Sequence, residues 1–84
     1  MRRKHRRTLV AIFQRPSPSG IRWYDVESLL VTCGAHIEER AGSRVYIELN
    51  DVVAHFHRPH PRNELRKGVV ASLWRFLKEA GIEP

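Results

Sequence analysis

The chain has a single cysteine, Cys33, and so cannot close a disulfide within itself. That scarcity fits a reducing compartment and places the expected location in the cytoplasm. Long apolar runs are missing too: nothing approaches the ~20 residues needed to span a bilayer. A basic start without a long apolar stretch or a small-residue cleavage site is not expected to act as a secretory leader. Internal repeats and low-complexity tracts are also missing. Length sets a further limit, because 84 residues make one small domain, and a chain of this size buries only about 60% of its unfolded surface. What the chain does have is positive charge. Fifteen Lys and Arg against nine Asp and Glu give a formal charge of +6 and a pI near 10.5. Such a balance speaks of the partner rather than the fold, and the partners it favours are RNA, DNA or an acidic protein. The apolar share of 42% still suffices for one side of a sheet and packed helices.

Arg2, Arg3, Lys4, Arg6 and Arg7, with His5 among them, form a basic head. Leu9, Ile12 and Phe13 then recur at helical spacing, predicting a short helix from about His5 to Gln14. Two readings of that head stand side by side, a solvated frayed terminus and a phosphate-contacting arm. Pro16-Ser17-Pro18-Ser19-Gly20 cannot continue a helix and reads as a linker. From Arg22 to Cys33 the residues Val26, Leu29, Leu30 and Cys33 mark one face of a second helix, and Gly34 is placed to end it. Ser19 or a residue just after it is the expected N-cap. Cys33, at the end of an apolar stripe, reads as core rather than nucleophile. Ala35 to Arg40 reads as a weakly patterned strand, and Ala41-Gly42 as a turn. The last helix is expected from about Glu64 to Ala80, capped through Asn63, with Leu65, Val69, Leu73, Phe76, Leu77 and Ala80 toward the core. Trp74 is expected to be partly core, and Gly68 suggests a close backbone approach or a bent first turn.

Between these helices lies the most regular stretch. Val45, Ile47 and Leu49 alternate with Arg44, Tyr46 and Glu48, and Asn50-Asp51 reads as a two-residue turn into a strand from Val52 to His57. That turn places Leu49 opposite Val52, Ile47 opposite Ala54 and Val45 opposite Phe56. On the other face Glu48 meets Val53, Tyr46 meets His55, and Arg44 meets His57. A slip of one residue would reverse both faces, so the apolar pattern itself supports this register. The polar face then gathers Arg44, Tyr46, His55 and His57.

Gly42-Ser43 at the head of the second strand, Arg58-Pro59-His60-Pro61, Glu64-Leu65-Arg66-Lys67-Gly68 and the helix end Leu77-Lys78-Glu79-Ala80-Gly81-Ile82 occur here in order. In these segments the chain resembles the HicA toxin family, the small RNA-cleaving components of HicAB toxin–antitoxin pairs. The resemblance covers roughly Ile21 to Ile82. It implies an α+β fold like that of double-stranded-RNA-binding domains, α-β-β-β-α, with an extra basic helix and linker over residues 1–20 preceding a domain over residues 21–84. It further implies messenger RNA as substrate and a HicB-like antitoxin as partner. One position departs from the family pattern, which is Gly-Ser-His at the start of the second strand, with the histidine catalytic. Arg44 stands there in this chain.

Chemistry states what a replacement must do. Metal-independent RNA cleavage needs a base for the ribose 2′-hydroxyl, an acid for the leaving oxygen and cations for the phosphorane charge. Arginine stays protonated and cannot be the base, but its planar fork suits phosphate. The expected catalytic set is therefore His57, with His55 or His60 as its partner. Arg44, Tyr46, Arg58, Arg66 and Lys67 are the expected RNA contacts. The competing reading makes His57 a solvated strand end and His60 a loop residue that hydrogen-bonds backbone. His5 and His36, with no partner in view, read as surface residues. His55, His57 and His60 also permit a metal reading, but no carboxylate or thiolate is evident as a fourth ligand, so neither metal nor other cofactor is expected. No membrane and no small-molecule substrate is expected either. Three functions follow from this pattern: a toxin that cleaves messenger RNA, a non-catalytic RNA-binding domain of the same fold, and a module whose basic face docks an acidic protein.

Overall fold

Alternating apolar and polar positions decide the elements, and the computed structural model describes residues 1–59 and 63–84. Helix α1 spans Arg3–Phe13 and α2 Trp23–Thr32; strands β1, β2 and β3 span His36–Arg40, Arg44–Leu49 and Val52–His57; α3 spans Lys67–Glu79. The strands form one antiparallel sheet in the order β1-β2-β3. This is the expected α+β order, with the basic helix preceding an α-β-β-β-α arrangement of the double-stranded-RNA-binding type.

The hairpin register is the one its alternation dictates, from Leu49↔Val52 through Ile47↔Ala54 to Arg44↔His57. Asn50 and Asp51 carry it with φ of 49° and 67°, the paired positive values that match the twist of the flanking strands. The Asn50 side-chain amide also donates to the Ala80 carbonyl at 2.7 Å, pinning the turn to the end of α3. Apart from Glu39 at the β1 edge, one sheet face is apolar and lies under the helices: Val45, Ile47 and Leu49 are sealed, and the Phe56 ring sits 6.3 Å from both Trp23 and Phe76.

Both α2 and α3 stop the same way. Gly34 and Gly81 take φ of 95° and 80°, and in each case the two following-turn bonds of a Schellman motif form: Ala35 N–H to Leu30 O and Gly34 N–H to Val31 O, Ile82 N–H to Leu77 O and Gly81 N–H to Lys78 O. Their starts differ from expectation. Arg22 and Arg66, not Ser19 and Asn63, are the N-caps, and neither supplies a side-chain bond. Instead the two lead-ins pair with each other as backbone: Trp23 N–H donates to Asn63 O at 2.7 Å, and Leu65 N–H to Ile21 O at 2.8 Å. Extended backbone at residues 63–65 makes this tie, so α3 begins at Lys67 rather than near Glu64. The shorter helix centres its buried stripe on Val70, Leu73, Phe76 and Leu77, with Val69 only half-buried. A Cβ at Gly68 would meet nothing within 4 Å, so no close backbone approach explains that glycine. Trp74 is half-buried against the core, its ring flanked by the Arg15 guanidinium at 4.3 Å and the Lys78 ammonium at 4.9 Å. Cys33 is a half-buried free thiol packed on the core, and burial raises its pKa.

Helix α1 docks on α2 and α3. Leu9 and Ile12 enter the core, and His5 goes with them, only 7% exposed. The expectation of a surface His5 is thus corrected. Its Nε2 lies 2.8 Å from the Ser28 hydroxyl, and Thr32 Oγ1 lies 3.4 Å from its Nδ1. Those two hydroxyls on α2 satisfy the imidazole and permit its burial.

Candidate nucleic-acid interface

On the sheet face away from the helices, period-two alternation lays side chains in rows across the three strands. The registers His36↔Glu48, Glu38↔Tyr46 and Arg40↔Arg44 extend those of the hairpin. One row is therefore Arg40, Arg44 and His57; the next is Glu38, Tyr46 and His55; the third is His36, Glu48 and Val53. In the hairpin these pairs are the close ones. Arg58 N–H donates to Ser43 O at 2.9 Å, so hydrogen-bonded pairs fall at every second position starting there. Arg44↔His57 and Tyr46↔His55 are the non-hydrogen-bonded pairs between, with Cα atoms about 4.5 Å apart.

Tyr46 is the centre of the array. Its ring meets His55 edge-on at 5.5 Å and His36 at 6.5 Å, and the Arg40 guanidinium lies 4.8 Å from its centroid. Partial desolvation and the neighbouring Glu48 carboxylate raise its pKa, so the phenol keeps its proton and donates to Glu48 Oε1 at 3.4 Å. The Glu38 carboxylate accepts from His36 Nε2 at 2.7 Å and from Arg40 at 3.3 Å. The bond from His36, against some desolvation and with help from Arg40, holds Glu38 below the usual carboxylate range. Sequence reasoning missed this β1 contribution of His36, Glu38 and Arg40, because β1 alternates too weakly for its register with β2 to be read from the pattern.

Arg44 is exposed and donates through Nε to the Ala41 carbonyl at 2.9 Å, which steadies the guanidinium beside His57. His57 is exposed and makes no side-chain hydrogen bond among the described residues. Arg58 sits differently from the others. It bridges Glu27 on α2, at 2.9 Å, and Glu39 on β1. Burial works against its charge, but the hydrogen bonds to Glu27 and Glu39 outweigh that and raise its pKa. Even so, Arg58 and Arg44 meet at a hollow of about 260 Å³ beside the first row, which Arg40, Glu39 and Ser43 also line. Arg66 and Lys67 are exposed at the start of α3, outside this face. His60 lies outside the described residues. No group of three or more potential metal ligands occurs among the described residues.

Two guanidiniums, three imidazoles and a protonated phenol on one open surface make a site that can hold phosphate and move protons. Comparison with known proteins gives that surface its context. The family model describing the HicA toxin of bacterial toxin–antitoxin systems matches residues 23–82. The chain belongs to the HicA toxin family. No curated protein and no solved structure matches it. The HicA match opens on the first residue of α2 and closes just beyond α3, so it takes in the whole sheet and leaves α1 outside. A HicA protein is the toxin of a toxin–antitoxin pair, and no helix here among the described residues is long and apolar enough to cross a membrane.

Proposed function

We propose that this HicA chain binds and cleaves messenger RNA in the cytoplasm without a metal, and that a HicB-like antitoxin restrains it by covering the polar sheet face. The observation that carries the reading is the direct pairing of Arg44 with His57 on the open face. In the proposed reaction His57 takes the proton of a ribose 2′-hydroxyl, and the freed oxygen attacks the adjacent phosphorus. The bond to the 5′-oxygen breaks, leaving a 2′,3′-cyclic phosphate, and His55 returns a proton to the departing oxygen; His60 is the alternative donor. Arg44 and Arg40 balance the charge that grows on the phosphorane, and the Tyr46 phenol orients the ribose or base. Arg58, already held by two carboxylates, closes the hollow beside the phosphate, while Arg66 and Lys67 extend the track for the strand. Because the nucleophile is part of the substrate and guanidiniums supply the positive charge, this route calls for no metal.

A second reading rests on Arg44 itself, which stands where the resemblance sets the family's catalytic histidine. It makes the chain a non-catalytic RNA-binding domain of the same fold. The test is cleavage of a generic messenger RNA by purified protein in EDTA. His57→Ala is expected to lower the rate by ~100-fold or more, and Arg44→Ala to weaken cleavage through loss of phosphate binding. Full activity in His57→Ala would sink the proposed chemistry. Absence of cleavage by the unmodified protein, with RNA still bound, would favour the binding domain.

A further inference from the structure

The chain's positive charge is not where its family domain is. Residues 23–82, the span of the HicA match, hold eight Lys and Arg and eight Asp and Glu, and are formally neutral. The seven remaining cations, Arg2, Arg3, Lys4, Arg6, Arg7, Arg15 and Arg22, all precede that span, and no acidic residue occurs before Asp25. A polyanion approaching this protein is therefore drawn first to α1, outside the matched domain.

Three features show that α1 presents its charge rather than merely carrying it. Its inner side, His5, Leu9 and Ile12, is buried on the other helices, so the segment is a docked helix with a fixed outer surface. Arg2, Arg3, Lys4, Arg6 and Arg7 are all exposed, and none forms a salt bridge among the described residues. They also crowd the positive end of the helix dipole, with no acidic residue in the first turn, an arrangement that costs stability until an anion arrives.

We infer that α1 is a second RNA-binding surface, which grips phosphates without regard to sequence through Arg2, Arg3, Lys4, Arg6 and Arg7. The inference rests on RNA as the ligand of this chain but not on cleavage. Nucleic acid fits this surface better than an acidic protein does. Protein interfaces centre on apolar and aromatic groups with charges at the rim, whereas the outer side of α1 offers cations and the partly exposed Val10. A phosphate backbone asks only for such cations. Because the helix is already ordered, binding would not bear the cost of folding it.

The test combines Arg3→Gln, Lys4→Gln, Arg6→Gln and Arg7→Gln and follows binding of a single-stranded messenger RNA fragment across a salt series. At about 0.7 in the log–log slope per phosphate contact on single strands, the variant is expected to lose a slope of about 3 and to bind at least ten-fold more weakly at low salt. Its melting temperature should hold or rise, because like charges leave the helix start. Arg75→Gln with Lys78→Gln, two exposed cations of α3, serves as control and should change the slope by less than half as much. An unchanged slope in the α1 variant would overturn the inference, and would assign those cations to an acidic protein instead. An equal loss per charge in the control would overturn it as well, since diffuse charge would then explain the binding. Failure of the unmodified protein to cleave RNA would bear on the proposed reaction alone.

Discussion

Val45, Ile47 and Leu49 are sealed from solvent, while Arg44, Tyr46 and Glu48, their immediate neighbours on the same strand, face outward. The inner face packs through Phe56 on Trp23 of α2 and Phe76 of α3 and is apolar except at its β1 edge, where Glu39 shares the face of Val45. The outer face has no layer on it, and there the strands hold two arginines, three histidines and a tyrosine. In a domain this small the two tasks cannot be given to separate regions, so they are separated by the pleat. The residues proposed to do chemistry are thereby held by residues that do none, one position away.

The comparison breaks if the two faces respond alike to truncation. Ile47 is fully buried at the centre of the sheet, and Ile47→Ala should cost about 3 kcal/mol through lost burial and the cavity left behind. Tyr46→Ala, on the adjacent position, should cost about 1 kcal/mol, the scale of cross-strand contacts on an open face. Urea denaturation of both variants measures the difference. Equal losses would mean that the outer array contributes to the fold as the core does.

Much of this division was legible beforehand. The alternation from Arg44 to His57 carries both the register and the faces, because a period of two leaves only one pairing that keeps Val45, Ile47, Leu49 and Phe56 together. Gly34 and Gly81 announced their helix ends through a backbone shape that other residues avoid. What was not legible depends on segments far apart in the chain. The starts of α2 and α3 are set by Ile21 and Trp23 pairing with Asn63 and Leu65, a backbone match that leaves no side-chain signature. The burial of His5 needs Ser28 and Thr32 opposite it. The site was half visible: His55, His57, Arg44 and Tyr46 share a face as the hairpin demanded, but β1 is too weakly patterned for its His36, Glu38 and Arg40 to be read onto that face. A summed charge likewise hid that the net positive charge lies ahead of residues 23–82, where eight Lys and Arg meet eight Asp and Glu.

Arginine sharpens the comparison, since Arg44 and Arg58 line one hollow in different states. Arg58 joins α2 to β1 through Glu27 and Glu39, with its side chain 30% exposed, whereas Arg44 bonds one carbonyl of its own turn. Arg58→Ala leaves two carboxylates without their cation and should cost about 1 kcal/mol, less in high salt. Arg44→Ala should leave the thermal midpoint nearly unchanged while weakening RNA binding. Melting curves of both variants at low and high salt check this, and a salt-insensitive loss in Arg58→Ala would assign its role to packing of the side-chain stem.

The smallest expected effect concerns pH, where the faces should also part. Glu38 is held below the ordinary carboxylate range chiefly by its bond from His36, with Arg40 assisting. A group whose pKa is lower folded than unfolded adds stability above the unfolded value and loses it as pH falls through the folded one. The melting temperature of the unmodified protein should therefore exceed that of Glu38→Gln slightly at neutral pH, and the gap should close in acid below the carboxylate range. The group is exposed, so water and salt keep the gap small. Ile47→Ala carries no titrating group, and its deficit should persist unchanged across the same range. A gap for Glu38→Gln that also persisted in acid would mean that the side chain acts by contact rather than charge, and the outer face would then stabilise the sheet in the same manner as the inner one.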